Sequence, residues 1–387
     1  MCCQWLRKLA TKEGWLQPRA PDIGIFFWVM YVIGIGSYIG TFAMNINSLV
    51  NYASSDEWWY FSILLTAVVL PQVPINLFSF WWYRNDSGEC YVSWPNTVGH
   101  CLLLAVPIRM GEIGKIACRT RSKEKGASYY HRFFLAQADL SFLRLVAVYA
   151  GSASQLVVKI YKLLSNWTGV ESALLEMVFG ALVLVSLALS TFSMGQHCRS
   201  HRHDKQELSY ASTVLQVLYR ICFLASRVFA LACLFHLGIT YGICVCVGAF
   251  IVCIIWFHFM ETEFTENWKQ ERFYHALMAY LHIFGMFNVK DDPARYRYAF
   301  YYSVSFFVEA LVYAVYALGT GRTFVCLFPG LFLVGLLCHG LEHECFHPGG
   351  RLYMKRAPAE WENVCEECAA EASDSAAKER AVAAEAL

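Results

Sequence analysis

This chain is poor in charge. Aspartate, glutamate, lysine and arginine together make 16% of its 387 residues, against about 25% in ordinary soluble domains. The balance is nearly neutral, +1 at pH 7 with a pI near 7.5, and no dense basic tract stands outside short loops, which excludes nucleic acid as a partner. There is no G-x-S-x-G elbow, no phosphate-cradling glycine loop and no HExxH pair, so the chain is expected to be no enzyme and to need no cofactor. Its acidic residues are too sparse to build the rings of an ion filter. Without an inverted repeat or paired broken helices, a small-solute carrier is disfavoured. The 16 cysteines follow no framework spacing and lie mainly in apolar runs, where buried thiols rather than disulfides are expected. No cleavable leader is evident. MCCQWLRKLATKEGWLQPRAP is polar and basic ahead of the first apolar run, so that run is expected to remain as an anchor.

Apolar length is abundant. Hydrophobic residues make up 57% of the chain and the mean hydropathy is +0.40. Runs near the ~20 residues that a spanning helix needs occur at 23–46, 58–83, 133–163, 170–194, 210–236, 238–260, 299–318 and 324–345. Two others are compromised. Segment 97–117 is broken by Pro107 and carries Arg109 and Glu112; segment 273–289 is short and holds His275 and His282. Both read as re-entrant elements that leave on the face they entered. Loop charge agrees. Arg7, Lys8, Lys12 and Arg19, the cluster Lys115 to Arg132, the loop 197–205, Arg295 with Arg297, and Arg351 with Lys355 and Arg356 all fall inside under this arrangement. A plain ten-span chain places the 115–132 cluster outside and is rejected. The expected fold is therefore an all-α polytopic membrane protein with eight transmembrane helices plus two re-entrant helices and both termini cytoplasmic. Residues 1–22 form a cytosolic N-terminal segment, 23–348 the transmembrane domain and 349–387 an acidic, alanine-rich cytosolic tail.

The third span carries the most informative pattern. Gln137, Ser141, Arg144, Ser152, Gln155 and Lys159 recur at steps of three, four, eight, three and four, which on a continuous α-helix is one face. Hydrocarbon charges roughly 2.5–3.5 kcal/mol or more for each cation at the helix centre. The stripe must therefore face protein, water or headgroups, and it is read here as the wall of a polar pathway. Ser and Gln also glue membrane helices together, and that reading stays open. Asp139, Arg220, Arg227, Glu309 and Arg109 are the other ionisable groups at membrane depth. They either line a cavity or pair across helices, for example Asp139 with Arg227.

Smaller signals follow. Cys2 and Cys3 beside a basic N-terminus are candidates for S-acylation or ordinary reduced thiols. His339, His343 and His347 recur every fourth residue, but Pro348 frays the end and the helical phase drifts, so no metal site is expected. The histidines of 197–203 lie in a basic loop suited to anionic lipid. Trp58, Trp59, Trp81, Trp82 and Trp167 sit at span ends as interfacial anchors. Two sequons occur, at Asn85 and Asn166, and only Asn166 faces outward. Cys326, at the outer end of the last span, is placed to bridge to a partner's thiol.

Several strings, in order, resemble the XK-related family of phospholipid scramblases, which includes a nematode cell-death member. They are INLFSFWWYRND (75–86), ADLSFLRL (138–145), SASQLV (152–157), ASRVFALACLF (225–235), HIFGMFNVKDDPARYRY (282–298), FFVEALV (306–312) and FHP (346–348). The resemblance implies eight transmembrane helices with two re-entrant ones. It further implies calcium-independent exposure of phosphatidylserine at the plasma membrane of a dying cell, often after caspase trimming of the tail. Glu371-Ala-Ser-Asp374 fits that last feature loosely, with Asp374 as the cleavage residue. By position, Arg109, Asp139, Arg144, Gln155 and Arg227 keep the family's intramembrane polar residues. The departures are acidic: Thr41 and Asn45 replace a pair of aspartates, Ala147 and Gly151 a pair of glutamates, and Thr191 and Met194 a later aspartate and arginine, while Ser154 stands for a proline. The expected function is ATP-independent scrambling. The alternative is a non-transporting membrane subunit that has lost it. Candidate partners are membrane phospholipids, a single-span membrane protein and a second copy of the chain.

Overall fold

A computed structural model describes residues 25–85, 94–120, 127–166, 170–200, 210–260, 268–287 and 295–346. Among these residues every regular element is helical, as hydrocarbon demands of a chain that must satisfy its own backbone. Eight helices are long and apolar enough to cross a membrane: 27–54, 58–83, 136–165, 176–196, 210–237, 239–259, 296–320 and 323–346. They fall on the eight segments expected.

Helix α1 (Ile25–Ser54) leads through a tight turn, with Asp56 at φ 54°, into α2 (Trp58–Val69) and α3 (Gln72–Asn85). The expected single span 58–83 is thus two helices broken at Leu70–Pro71, where Pro71 has no N–H to give the ladder. Helices α4 (Trp94–Cys101) and α5 (Ala105–Thr120) form the first compromised element. Its break falls at Leu103, φ 61°, and not at Pro107. Pro107 occupies the first turn of α5, where its missing N–H costs nothing. The third span is α6 (Ala127–Val146), a π-helical segment (Ala147–Ala153) and α7 (Ser154–Ser165). Then come α8 (Val170–Ser200), α9 (Tyr210–Leu237), α10 (Ile239–Phe259), α11 (Trp268–His282), α12 (Arg295–Thr320), a short 3-10 turn, α13 (Leu327–Leu341) and a second π turn at Glu342–Phe346. At 15 residues, α11 is roughly 22 Å long, too short for a ~30 Å hydrocarbon core. His282 pins the turn that ends it. Its Nδ1 donates to the Met278 carbonyl at 2.9 Å and its Nε2 accepts from the Phe287 amide at 3.4 Å.

The third span is the axis of the molecule, with 83% of its apolar window buried against 6% for the first span and 6% for 239–259. It packs on α5, α8, α9 and α2. Apolar burial drives little of this in lipid, so close contact and polar pairs must hold the bundle. Gly335 of α13 illustrates the contact: a Cβ there would lie 2.8 Å from the Phe223 ring of α9. Trp58 and Trp59 are exposed at a span end, as anchors should be, but Trp82 is fully buried against Phe78 and Phe142. It is a core residue and not an interfacial one.

Candidate functional site

Three clusters of buried polar residues among the described residues hold most of the site residues expected from the sequence. The first joins α3, α4, α5 and α6. Arg109 lies over the Tyr83 ring at 3.8 Å, 3.6 Å from Glu112 and 3.9 Å from Asp139. Its Nε and Nη2 donate to the Oγ and carbonyl of Ser79, both at 3.2 Å. His100 Nδ1 donates to the Asn96 carbonyl at 2.6 Å, so its Nε2 accepts the Ser79 hydroxyl at 2.9 Å. The short element α4–α5 is thereby tied to α3 and α6. Asp139 pairs with Arg109, not with Arg227 as the pairing example had it. The axis helix turns Asp139 toward α5, and Arg227 sits on α9.

The second cluster is the stripe. The π segment interrupts it: each π turn holds an extra residue, so the step of eight from Arg144 to Ser152 crosses a change of phase and one α-helical period does not relate the two triplets. Both triplets nevertheless end on the same two neighbours, α1 and α8. In the first triplet, Ser141 Oγ touches Met194 Sδ of α8 at 3.6 Å and Arg144 Nη2 donates to the Gly34 carbonyl of α1 at 3.2 Å. In the second, Lys159 Nζ donates to Ser48 Oγ of α1 at 2.6 Å, lies 3.2 Å from Glu176 of α8 and stands 3.5 Å over the Phe179 ring. Gln137, Ser141, Ser152, Gln155 and Lys159 are buried and Arg144 is half-buried. In this conformation the stripe is covered by protein.

The cover is incompletely satisfied. Asn45 Oδ1 on α1 and Gln155 Oε1 on α7 are buried with no hydrogen-bond partner, each one turn before a member of the Ser48–Lys159 contact. Arg144 Nε has none either, and no carboxylate among the described residues lies within 4 Å of its guanidinium. Orphaned buried polar atoms are uncommon and call for a reason. Gly151 of the π segment faces α2, where a Cβ would be 3.4 Å from the Ala67 carbonyl.

The third cluster surrounds Arg227. Its Nε donates to the Ile283 carbonyl at 2.9 Å and its Nη1 lies 3.6 Å from Glu309, which also accepts from Ser226 Oγ at 2.6 Å. Sequence reasoning named Arg220 and Glu309 as ionisable at depth but left them out of the site. Arg220 and Arg227, seven apart on α9, share a helix face, and that spacing was the available signal. Cys2, Cys3, Asp374 and His347 lie outside the described residues. Among the described residues no three metal-binding side chains converge.

These observations define an all-α polytopic membrane protein whose ionisable groups are gathered inside the bundle. Residues 29–348 match the family described as XK-related protein, and the chain belongs to it. Curated relatives include XK-related protein 8 of Tetraodon nigroviridis, 26% identical over 357 residues (85% of this chain, 86% of that one). Another is XK-related protein 8 of Gasterosteus aculeatus, 24% identical over 345 residues (83% and 84%).

Proposed function

We propose that the protein is a phospholipid scramblase, moving phosphatidylserine and other lipids between leaflets of the plasma membrane without ATP, and that the conformation described is its closed state. What supports this most directly is the stripe. Arg144, Lys159 and the orphaned Gln155 oxygen lie beneath α1, a helix packed mainly against α2 and α8, and α1 itself adds the orphaned oxygen of Asn45. Separation of α1 from α8 would turn the stripe into a groove. Arg144 and Lys159 then stand in for the water that a phosphate needs, while acyl tails stay in the bilayer. Transport down an existing gradient needs no covalent step. Exposure of phosphatidylserine during apoptotic clearance, with Asp374 as a cleavage point, is the setting the family suggests.

A second reading is a membrane subunit that docks a partner and moves no lipid. The covered stripe favours it, as does the exposed thiol of Cys326. The two are separated by reconstituting the full chain in vesicles with fluorescent phospholipids and adding dithionite. Bleaching beyond the half expected of sealed vesicles supports scrambling, with or without removal of the tail. Bleaching equal to protein-free vesicles under both conditions rejects it.

A further inference from the structure

A cavity of about 30 Å³ lies between α9, α12 and the turn after α11, and the π segment of the third span and α8 also reach it. That is space for roughly two waters, at the ~10–15 Å³ that one water centre requires. Its wall is polar although it stands at membrane depth: Tyr149, Thr191, Arg220, Arg227, Tyr301 and Glu309 all line it. Ionisable groups in such a place sit against protein partners or against water.

The protein's own hydrogen bonds leave donors over on one side of this space. Arg220 Nη1 donates to the carbonyl of Gln216 at 3.3 Å and to Gln216 Oε1 at 3.1 Å. Glu342 accepts from the Nε2 of the same amide at 2.9 Å, which turns the amide oxygen toward Arg220. Nη1 is thereby used up within α9. The Nε and Nη2 groups of Arg220 have no acceptor among the described residues.

Acceptors are left over on the other sides. Thr191 Oγ1 donates to the Leu187 carbonyl at 2.9 Å, so it receives the Tyr149 hydroxyl proton at 2.7 Å. Tyr301 gives its own proton to the His282 carbonyl at 3.1 Å. Each phenol oxygen can still accept. Glu309 Oε2 is taken by Ser226, but its Oε1 stands 3.6 Å from Arg227 Nη1, beyond a direct hydrogen bond. A polar gap of that width beside open space is where a bridging water belongs.

We infer that the cavity is a binding site for ordered water, through which the remaining N–H groups of Arg220 on α9 reach the oxygens of Tyr149 on the third span and of Tyr301 and Glu309 on α12. The volume sets the occupancy at about two molecules, and the wall offers each of them the polar partners that a buried water takes. Three elements are thus joined through water at a depth where an unsolvated guanidinium is costly. The site is separate from the stripe under α1. Water held here requires no lipid transport, so lipid-exchange assays leave the inference untouched.

The test uses the full chain in lipid nanodiscs and heavy-oxygen water, given a brief X-ray pulse. The pulse makes hydroxyl radicals from water where it lies, and mass spectrometry counts the oxygen added to each side chain. Tyr149 and Tyr313 are matched probes, 2% and 1% exposed, and of the two Tyr149 alone lines the cavity. Labelling of Tyr149 several-fold above Tyr313 is expected. Gly285→Ala is the second arm. A Cβ there meets Tyr149 Oη at 3.6 Å and Leu224 Cδ2 at 3.7 Å, ordinary contact distances, so the methyl enters the cavity of a folded protein and displaces water. Labelling of Tyr149 should then fall about twofold or more, since the methyl takes up much of one water's space. Tyr149 labelled no more than Tyr313, or labelled equally in wild type and folded Gly285→Ala, overturns the inference. The wild-type comparison needs no variant and decides the matter by itself where Gly285→Ala fails to fold.

Discussion

Arg144 reaches 110 residues back along the chain, where its Nη2 donates to the carbonyl of Gly34 at 3.2 Å. The contact exists because residue 34 has no side chain: a Cβ there would lie 2.5 Å from Nη1. One glycine thus lets α1 close over a cation that has no carboxylate opposite it.

Gly34→Ala should therefore push the guanidinium off its acceptor or lift α1. The lost hydrogen bond is expected to cost about 1 kcal/mol. Faster amide exchange along α1, with α9 unchanged, is the signature in hydrogen-exchange mass spectrometry. Exchange equal to wild type along α1 contradicts the contact.

Lys159 is the second fastening. Its side chain is 4% exposed, whereas Glu176 is 36% exposed, so solvent screens part of the pair. Lys159→Met and Glu176→Gln should each lower the melting temperature, and a double-mutant cycle should give a coupling of about 1 kcal/mol. Lys159→Met is expected to be the worse single change, because it also loses Phe179 and Ser48.

The Arg227–Glu309 pair is deeper, with side chains 15% and 4% exposed. Glu309→Ala leaves a buried cation whose other bond holds the turn after α11, and should destabilise by about 3–5 kcal/mol. The double variant Arg227→Met/Glu309→Leu should recover most of that loss. Thermal unfolding in detergent checks both.

The eight spans were legible because twenty apolar residues in a row carry their own meaning in a bilayer. The re-entrant reading of 97–117 and 273–289 came from loop charge and short length. The breaks within elements were less legible: a proline marks one only when it falls past the first turn, so the element that holds Pro107 breaks at Leu103, and Pro71 breaks a span that reads as continuous. The stripe was found, but not its π interruption at Ala147–Ala153. An extra residue per turn leaves no mark in hydrophobic spacing when every neighbour is small or apolar. Partner choice was the least legible. Asp139 meets Arg109 because neighbouring helices fix that distance, and no spacing along the sequence encodes it; Gln216 and Arg220, four apart on α9, are a pair that spacing does encode.

The central claim is that lipid passes where α1 parts from α8, and a tether across that seam tests it most directly. The side chains of Ser48 and Glu176 both touch Lys159 Nζ, at 2.6 and 3.2 Å, so cysteines at these two positions on a cysteine-depleted chain lie within reach of a short cleavable cross-linker. Lipid exchange in vesicles that stops on cross-linking and returns on reduction is the predicted result. Exchange that runs at the same rate with the seam locked would contradict the account.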